Sequence, residues 1–262
     1  MRRAYMDYTK VTASQYVSQI KKLLEEGKDI PDEFHTPLET LLKDKHKIIE
    51  KGTKLYRGRY YDEDDVYAKY RGEIISDGPF QGYDEKGSFV NFKGLNNDGR
   101  ANREGEVCLY VSNDIDTCCL EIGAKRDIPV SIGLIEVNKD LKIIDLSEGV
   151  NVTSSKGNGG FPMGWVTEFK SCVDHEMCRP VWNQEHYKFT QYICNYIKNR
   201  GYDGVKYDSS IHFIDSPNSS GNKENSYNYA IFNYEKCRAI SSSLYLVRNV
   251  SVTVEPFQST LK

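Results

Sequence analysis

The chain has 262 residues, of which 39% are hydrophobic and 28% are charged, the profile of an ordinary globular protein. A formal net charge of −3, with both signs interspersed, argues against a dedicated nucleic-acid-binding protein, which needs a basic surplus to neutralise phosphates. There is no apolar run near the roughly 20 residues that span a bilayer, and no apolar segment follows Arg2 and Arg3, so neither a membrane span nor a signal peptide is expected. The seven cysteines include the adjacent pair Cys118 and Cys119 and form no disulfide framework, which favours a reducing, cytoplasmic compartment.

Residues 1–53 are predicted to form a helical hairpin that extends from the rest of the chain. Thr12 and Gln15 have the spacing of a capping box, and Gly27 ends the first helix. One face of this helix carries an apolar stripe of Tyr16, Ile20, Leu23 and Leu24.

A second helix is predicted from Thr36, with Pro37 in its first turn, Glu39 reaching back to the cap and Gly52 as its end. Its apolar stripe is Leu38, Leu41, Leu42 and Ile49. The hairpin shows no conspicuous catalytic residue, so packing or partner binding is the expected role.

Residues 54–262 are predicted to form an α+β domain, because short alternating segments outnumber helical ones and no regular βαβ series occurs. Helices are expected after the cap Asn113-Asp114 and over 184–200. An irregular excursion is expected over 147–180. The predicted strands are 54–59, 106–112, 129–137, 141–146, 204–209, 227–233 and one or two within 240–254.

The excursion contains residue types that bind metals. Cys172, His175 and Cys178 follow one another at intervals of three, with His186 and Cys194 nearby. A metal-stabilised, non-enzymatic binding module is therefore an alternative interpretation. The paired cysteine knuckles of a zinc site are missing, however, so no metal is expected.

Four further segments carry residues that suit chemistry. Arg57 lies in a predicted strand, where a guanidinium is costly to bury unless it meets a carboxylate or phosphate. The basic turn 99–105 has a glycine at each end, which allows close approach of the backbone to a ligand. Glu121 lies at the edge of an apolar helical stripe, and residues 201–210 form a helix stop, a turn and a strand that ends at Ser209.

In this order the four segments resemble the RES domain, a family named for an arginine, a glutamate and a serine. The resemblance covers about residues 54 to 240, and the ordered set is more specific than any one motif. The matching residues are Arg57, Gly99, Arg100, Asn102, Gly105, Leu109, Tyr110, Glu121, Gln191, Gly201 to Gly204, Ser209 and Tyr229 to Phe232.

The resemblance implies an ADP-ribosyltransferase-like fold, in which helices surround a split, mostly antiparallel sheet with an NAD⁺ cleft. RES proteins occur as toxins of bacterial toxin–antitoxin pairs. As a family they deplete NAD⁺ by phosphorolysis or hydrolysis, and some modify a protein instead. This chain is therefore expected to be an NAD⁺ phosphorylase or glycohydrolase, and an ADP-ribosyltransferase acting on a macromolecule is the alternative.

The resemblance also implies roles for individual residues. Glu121 would stabilise the positive charge that develops on the ribose, and Arg57 and Arg100 would bind the pyrophosphate or position an inorganic phosphate. Ser209 would hydrogen-bond the ribose or the carboxamide, and Tyr110 would stack on or clamp the nicotinamide ring. The expected substrate-binding set also contains Tyr56, Asn102 and Ser210.

Several expectations concern partners. NAD⁺ enters as a substrate, inorganic phosphate is a candidate co-substrate, and no separate cofactor is expected. A cognate antitoxin and a second copy of the chain are candidate protein partners. Nucleic acid and membrane are not expected.

Overall fold

The computed structural model describes residues 8, 10–61, 78–90, 98–147, 161–162, 164–179, 187–209 and 226–248. The helices in these residues are α1 (Ala13–Glu25), α2 (Thr36–Lys45), α3 (Glu85–Ser88), α4 (Ile115–Glu121), α5 (Trp165–Cys178) and α6 (Tyr187–Asn199). The strands are β1 (His46–Ile49), β2 (Lys54–Tyr60), β3 (Leu109–Ser112), β4 (Pro129–Val137), β5 (Leu141–Asp145), β6 (Gly204–Asp208), β7 (Tyr227–Ile231) and β8 (Cys237–Leu246). Short 3₁₀ turns occupy Asp32–His35 and Tyr234–Lys236.

The eight strands form a single sheet in the order β1-β5-β6-β7-β3-β2-β4-β8. Strands β5 and β6 pair in parallel, and the other neighbouring strands pair antiparallel. Between β2 and β3 the register is limited to Tyr56 opposite Ser112, whereas β2 pairs with β4 along its whole length. The sheet is therefore split between β3 and β2. The predicted α+β class, with a split, mostly antiparallel sheet and surrounding helices, is confirmed.

The first predicted helix is confirmed as α1, and both hydrogen bonds of the Thr12–Gln15 capping box are present. The second helix ends at Lys45, so the prediction that it continues to Gly52 is wrong. Residues of β1 instead pair antiparallel with β5. Ile49 comes 11 residues after Leu38, three helical turns later and in phase with it, so periodicity alone does not reveal the strand.

The expected capping role of Glu39 is also wrong. His35 occupies the N-cap of α2, and it makes no side-chain capping hydrogen bond. The Glu39 carboxylate instead accepts a hydrogen bond from Tyr196 and pairs with Arg200, at the end of α6. Glu39 thus fastens α2 to α6.

The sequence prediction missed helix α5, which replaces the second half of the expected irregular excursion. Trp165, Phe169, Val173 and Met177 recur every four residues and are buried, so the helix has an apolar stripe of its own. Gly164 precedes the helix with φ of 83°, a conformation that favours glycine. Residues 148–160 lie outside the described part of the chain.

The other strands lie close to their predicted positions. β3 begins at Leu109 rather than at 106, because a backbone bond from Glu106 to Arg103 closes a turn there. β8 begins at Cys237, before the predicted 240. The sequence also predicts a loop over 215–225, which lies outside the described residues.

Two apolar clusters cover opposite faces of the sheet. Ile144 and Ala230 face the helices α1, α2, α5 and α6, whereas their neighbours Ile143 and Ile231 belong to the cluster on the other face. A third, smaller cluster packs α4 against β4. The division of the chain at residue 53 stays a prediction. None of the described helices has the length and apolar character to cross a membrane.

Candidate active site at the sheet split

The site is centred on Glu121, the last residue of α4. Asp114 begins this helix by accepting a hydrogen bond from the Thr117 amide at 2.7 Å, so α4 starts directly after β3. Glu121 Oε1 accepts hydrogen bonds from Ser209 Oγ at 2.5 Å and from Asn228 Nδ2 at 2.7 Å. Ser209 is 1% exposed and Asn228 is 5% exposed, whereas Glu121 is exposed. A carboxylate open to solvent is thus anchored by two buried donors.

The sheet fixes both donors. The Ser209 amide donates to the Ser226 carbonyl at 3.0 Å just beyond the end of β6, and Asn228 pairs directly with Ser112 in the β3–β7 ladder. Ser112 Oγ also donates to Asn228 Oδ1 at 2.7 Å. The positions of these groups follow from strand pairing rather than from loops.

The Tyr207 hydroxyl is influenced by two charged side chains of the site, Glu121 and Arg100. This tyrosine is buried in β6. Burial raises the pKa of its hydroxyl, the Glu121 carboxylate raises the pKa further, and the Arg100 guanidinium lowers it. The charges of Glu121 and Arg100 therefore both influence the same hydroxyl.

Arg100 lies in the turn after Gly99, and Tyr110 of β3 holds this turn from the inside. The Tyr110 hydroxyl accepts a hydrogen bond from the Ala101 amide at 2.9 Å and donates one to Asn102 Oδ1 at 2.8 Å. A Cβ atom on Gly99 would lie 2.4 Å from Asn102 Oδ1 and 2.6 Å from the Tyr110 hydroxyl, so a larger residue at position 99 would displace these side chains. Tyr110 and Asn102 thus build the turn that presents Arg100.

Gln191 of α6 closes the same turn. Its Nε2 donates to the Asn102 carbonyl at 2.9 Å and to the Gly99 carbonyl at 3.0 Å. The Arg100 guanidinium lies 5.9 Å from the centre of the Tyr187 ring, and its buried NH1 has no hydrogen-bond partner among the described residues. Side-chain hydrogen bonds thus cross-link the turn, and the guanidinium it carries keeps donor capacity for an anion.

Arg57 is a second guanidinium with unused donors, on the other side of the split. Within the described chain its buried Nε and NH1 have no hydrogen-bond partner. Its pKa is lowered to about 10, first by burial and then by the neighbouring Arg59, while Cys118 opposes the change. No hydrogen bond joins Arg57 to Glu121 or Ser209 in the structure described.

A close approach at Gly58 connects Arg57 to the helix that carries Glu121. A Cβ atom on Gly58 would lie 3.0 Å from Cys118 Sγ, so α4 packs directly on β2. Cys118 also raises the pKa of Arg57. Glu121 follows Cys118 by three residues on α4. The two predicted residues therefore flank the split from neighbouring elements.

The remaining predicted residues have different positions. Tyr56 pairs with Ser112 at the split and packs against the apolar cluster under α4. Ser210 lies outside the described residues. Sequence reasoning missed Ser112, Tyr207 and Asn228, because an isolated polar or tyrosine side chain in a strand has no local signature.

Comparison with known proteins identifies the family. The model of the RES domain matches residues 77–253, more than half of the chain. The chain belongs to the RES domain family. Arg100, Glu121 and Ser209 lie within the matched range, and Tyr56 and Arg57 precede it.

Among solved structures, the chain is similar to one in the crystal structure of the M. tuberculosis MbcT–MbcA toxin–antitoxin complex. The two share 11% sequence identity with a TM-score of 0.45, over 80% of this chain and 92% of the other. No curated protein matches the chain.

In this RES domain the segment 201–204 lies at the start of β6, at the opposite end of the strand from Ser209. Gly201 ends α6 with φ of 80°. The Asp203 carboxylate accepts hydrogen bonds from the Lys142 amide, Asn233 Nδ2 and Lys236 Nζ at 2.7, 3.0 and 2.8 Å. It thereby ties the start of β6 to the start of β5 and to the end of β7.

The metal-binding alternative rested on Cys172, His175 and Cys178. All three lie on α5, where the two cysteines are separated along the helix axis by about 9 Å, at 1.5 Å per residue. In the described ranges no group of three cysteine, histidine or acidic residues is placed to hold a metal ion. Cys194 is buried in the core beside Met177.

Proposed function

We propose that this RES domain protein destroys NAD⁺ by breaking the bond between nicotinamide and ribose. The observation that carries the proposal is the Glu121 carboxylate, which is open to solvent yet held by the buried donors Ser209 and Asn228. Family membership supports the choice of NAD⁺, because RES proteins deplete this dinucleotide.

The chemistry of the bond explains why a carboxylate suits this position. Nicotinamide leaves as a neutral molecule with the electron pair of the C–N bond, so positive charge develops on the ribose ring. A carboxylate beside the anomeric carbon stabilises this transition state more than the ground state, which lowers the barrier. We assign this catalytic role to Glu121.

The two guanidiniums suit the phosphate groups of the substrate. In the described structure, two buried nitrogens of Arg57 and one of Arg100 have no hydrogen-bond partner. Such donors are costly to bury unless an anion pairs with them, and arginine binds phosphate in a bidentate manner. We assign them to the pyrophosphate of NAD⁺ or to an inorganic phosphate nucleophile.

The other site residues support these groups. Ser209 lies against Glu121 and would hydrogen-bond the ribose or carboxamide, while Tyr56 and Ser210 remain proposed substrate contacts. Tyr110 and Asn102 use their polar atoms within the turn. We therefore propose that these two residues position Arg100.

Product analysis tests the reaction. The purified protein is incubated with NAD⁺, with and without inorganic phosphate, and the products are identified by mass spectrometry. Hydrolysis gives nicotinamide and ADP-ribose, phosphorolysis gives nicotinamide and phosphorylated ADP-ribose, and either outcome supports the proposal. Release of nicotinamide that requires an added protein, with ADP-ribose attached to that protein, would favour a transferase instead. Intact NAD⁺ under all conditions would overturn the proposal.

We further propose that the protein acts as the toxin of a toxin–antitoxin pair, since RES proteins occur in such pairs. Its activity would lower the NAD⁺ pool of a bacterial host, and a cognate antitoxin would block it. Induced expression should arrest growth as the measured NAD⁺ concentration falls. Growth arrest with an unchanged NAD⁺ pool would contradict this role.

A further inference from the structure

Two successive hydrogen bonds link Ser112 to Asn228 and Asn228 to Glu121. An ionised carboxylate only accepts hydrogen bonds, so the nitrogen of the Asn228 amide must face Glu121 Oε1, as it does at 2.7 Å. The amide oxygen then faces Ser112, whose hydroxyl donates to it at 2.7 Å. The carboxylate therefore fixes the orientation of the amide, and the Ser112 hydroxyl holds that orientation by donating to the amide oxygen.

The fold holds the three hydrogen-bonded residues Ser112, Asn228 and Glu121 to very different degrees. Ser112 and Asn228 are 4% and 5% exposed and are direct partners in the β3–β7 ladder. Glu121 is exposed and ends a seven-residue helix, so its long side chain has little packing of its own. The hydrogen bonds from Ser209 and Asn228 provide its anchoring.

We infer that Asn228 is a positioning residue, which holds the Glu121 carboxylate in its reactive orientation and is itself held by Ser112. The inference rests on the proposed function, because it assumes that Glu121 acts on NAD⁺. Neither Asn228 nor Ser112 needs to contact the substrate. Their loss should therefore lower kcat and leave KM for NAD⁺ nearly unchanged.

The first test removes the donor. Asn228→Ala should lower kcat by about 10²-fold, the size expected when a reacting group is misplaced by about 1 Å. Ser112→Ala removes the hydrogen bond that holds the amide oxygen and should lower kcat by about 10-fold, with little added effect in the double variant because the two residues act as one unit. Asn233→Ala is the matched control. Its side chain donates to another carboxylate, that of Asp203, near the other end of the same strand.

The second test separates positioning from a purely structural role. Asn228→Asp keeps the shape, but at neutral pH it places a second negative charge beside Glu121. Two adjacent carboxylates share a proton as the pH falls, and the protonated aspartate can then donate as asparagine does. The kcat of Asn228→Asp relative to wild type should therefore rise between about pH 8 and about pH 5.5.

The outcomes distinguish the inference from the proposed function. If Glu121→Gln abolishes NAD⁺ cleavage while Asn228→Ala retains wild-type kcat, the positioning role is wrong and the proposed function stands. A kcat ratio for Asn228→Asp that does not change with pH would also overturn it. If Glu121→Gln cleaves NAD⁺ normally, the proposed function itself fails.

Discussion

Replacing Tyr110 with phenylalanine should destabilise the protein through the turn that carries Arg100. The substitution keeps the ring and removes the hydroxyl that bonds the Ala101 amide and Asn102 Oδ1. Ala101 and Asn102 are both 8% exposed, so water has little access to replace these bonds. A hydrogen bond contributes about 0.5–1.5 kcal/mol net, so the loss of two should lower the free energy of unfolding by about 1–3 kcal/mol.

Denaturant unfolding measures this change directly. Tyr60→Phe is the matched control, because its hydroxyl also donates to a carbonyl, that of Gly123, but the residue is 39% exposed. Surface changes of this kind stay within about 0.5 kcal/mol. If Tyr110→Phe were no less stable than Tyr60→Phe, the hydroxyl would not hold the turn. Under the proposed function, the looser turn should also raise KM for NAD⁺ more than it lowers kcat.

Two further predictions follow from buried groups. Arg57→Met should raise the free energy of unfolding by about 1 kcal/mol, because it removes buried nitrogens that have no partner in the described structure. Pyrophosphate should raise the melting temperature of the wild type, and the variant should lose this rise. A less stable variant would contradict the reasoning. The pKa values of Tyr16, Tyr110 and Tyr207 are raised by burial above the ordinary 10.0, so these residues stabilise the fold below pH 10 and cease to do so as the pH rises above it. Spectrophotometric titration should show that these three tyrosines ionise only as the protein unfolds. Ionisation of these tyrosines while the protein is still folded would contradict their burial.

Strands with alternating apolar residues were predictable from the sequence. β4 has the predicted bounds, 129–137, and β2 extends the predicted 54–59 by a single residue. The pattern is informative because one face of each strand is buried against a core. β1 could not be found in this way, since Ile49 continues the helical period of α2 and only its pairing with β5 makes the segment a strand.

Helix α5 was missed for a different reason. Its apolar repeat from Trp165 to Met177 is present in the sequence, but it follows the glycine- and serine-rich segment 147–164, which was extended too far as a loop. The repeat of buried residues at every fourth position was the signal that could have identified it.

The site could be predicted in part. Glu121 and Ser209 were chosen by resemblance, and the structure brings them into contact at 2.5 Å. Asn228 could not be chosen, because its contact with Glu121 depends on the register of β7 against β3 and on the placement of α4. Such contacts follow from tertiary pairing and not from local sequence.

The proposed NAD⁺ cleavage depends most directly on the Glu121 carboxylate. Glu121→Gln preserves its size and removes its charge, and Asp116→Asn removes one charge from an exposed position on the same helix. NAD⁺ turnover should fall by at least about 10²-fold in Glu121→Gln, with the fold intact by circular dichroism, and remain at the wild-type rate in Asp116→Asn. A wild-type rate in Glu121→Gln would contradict the central claim.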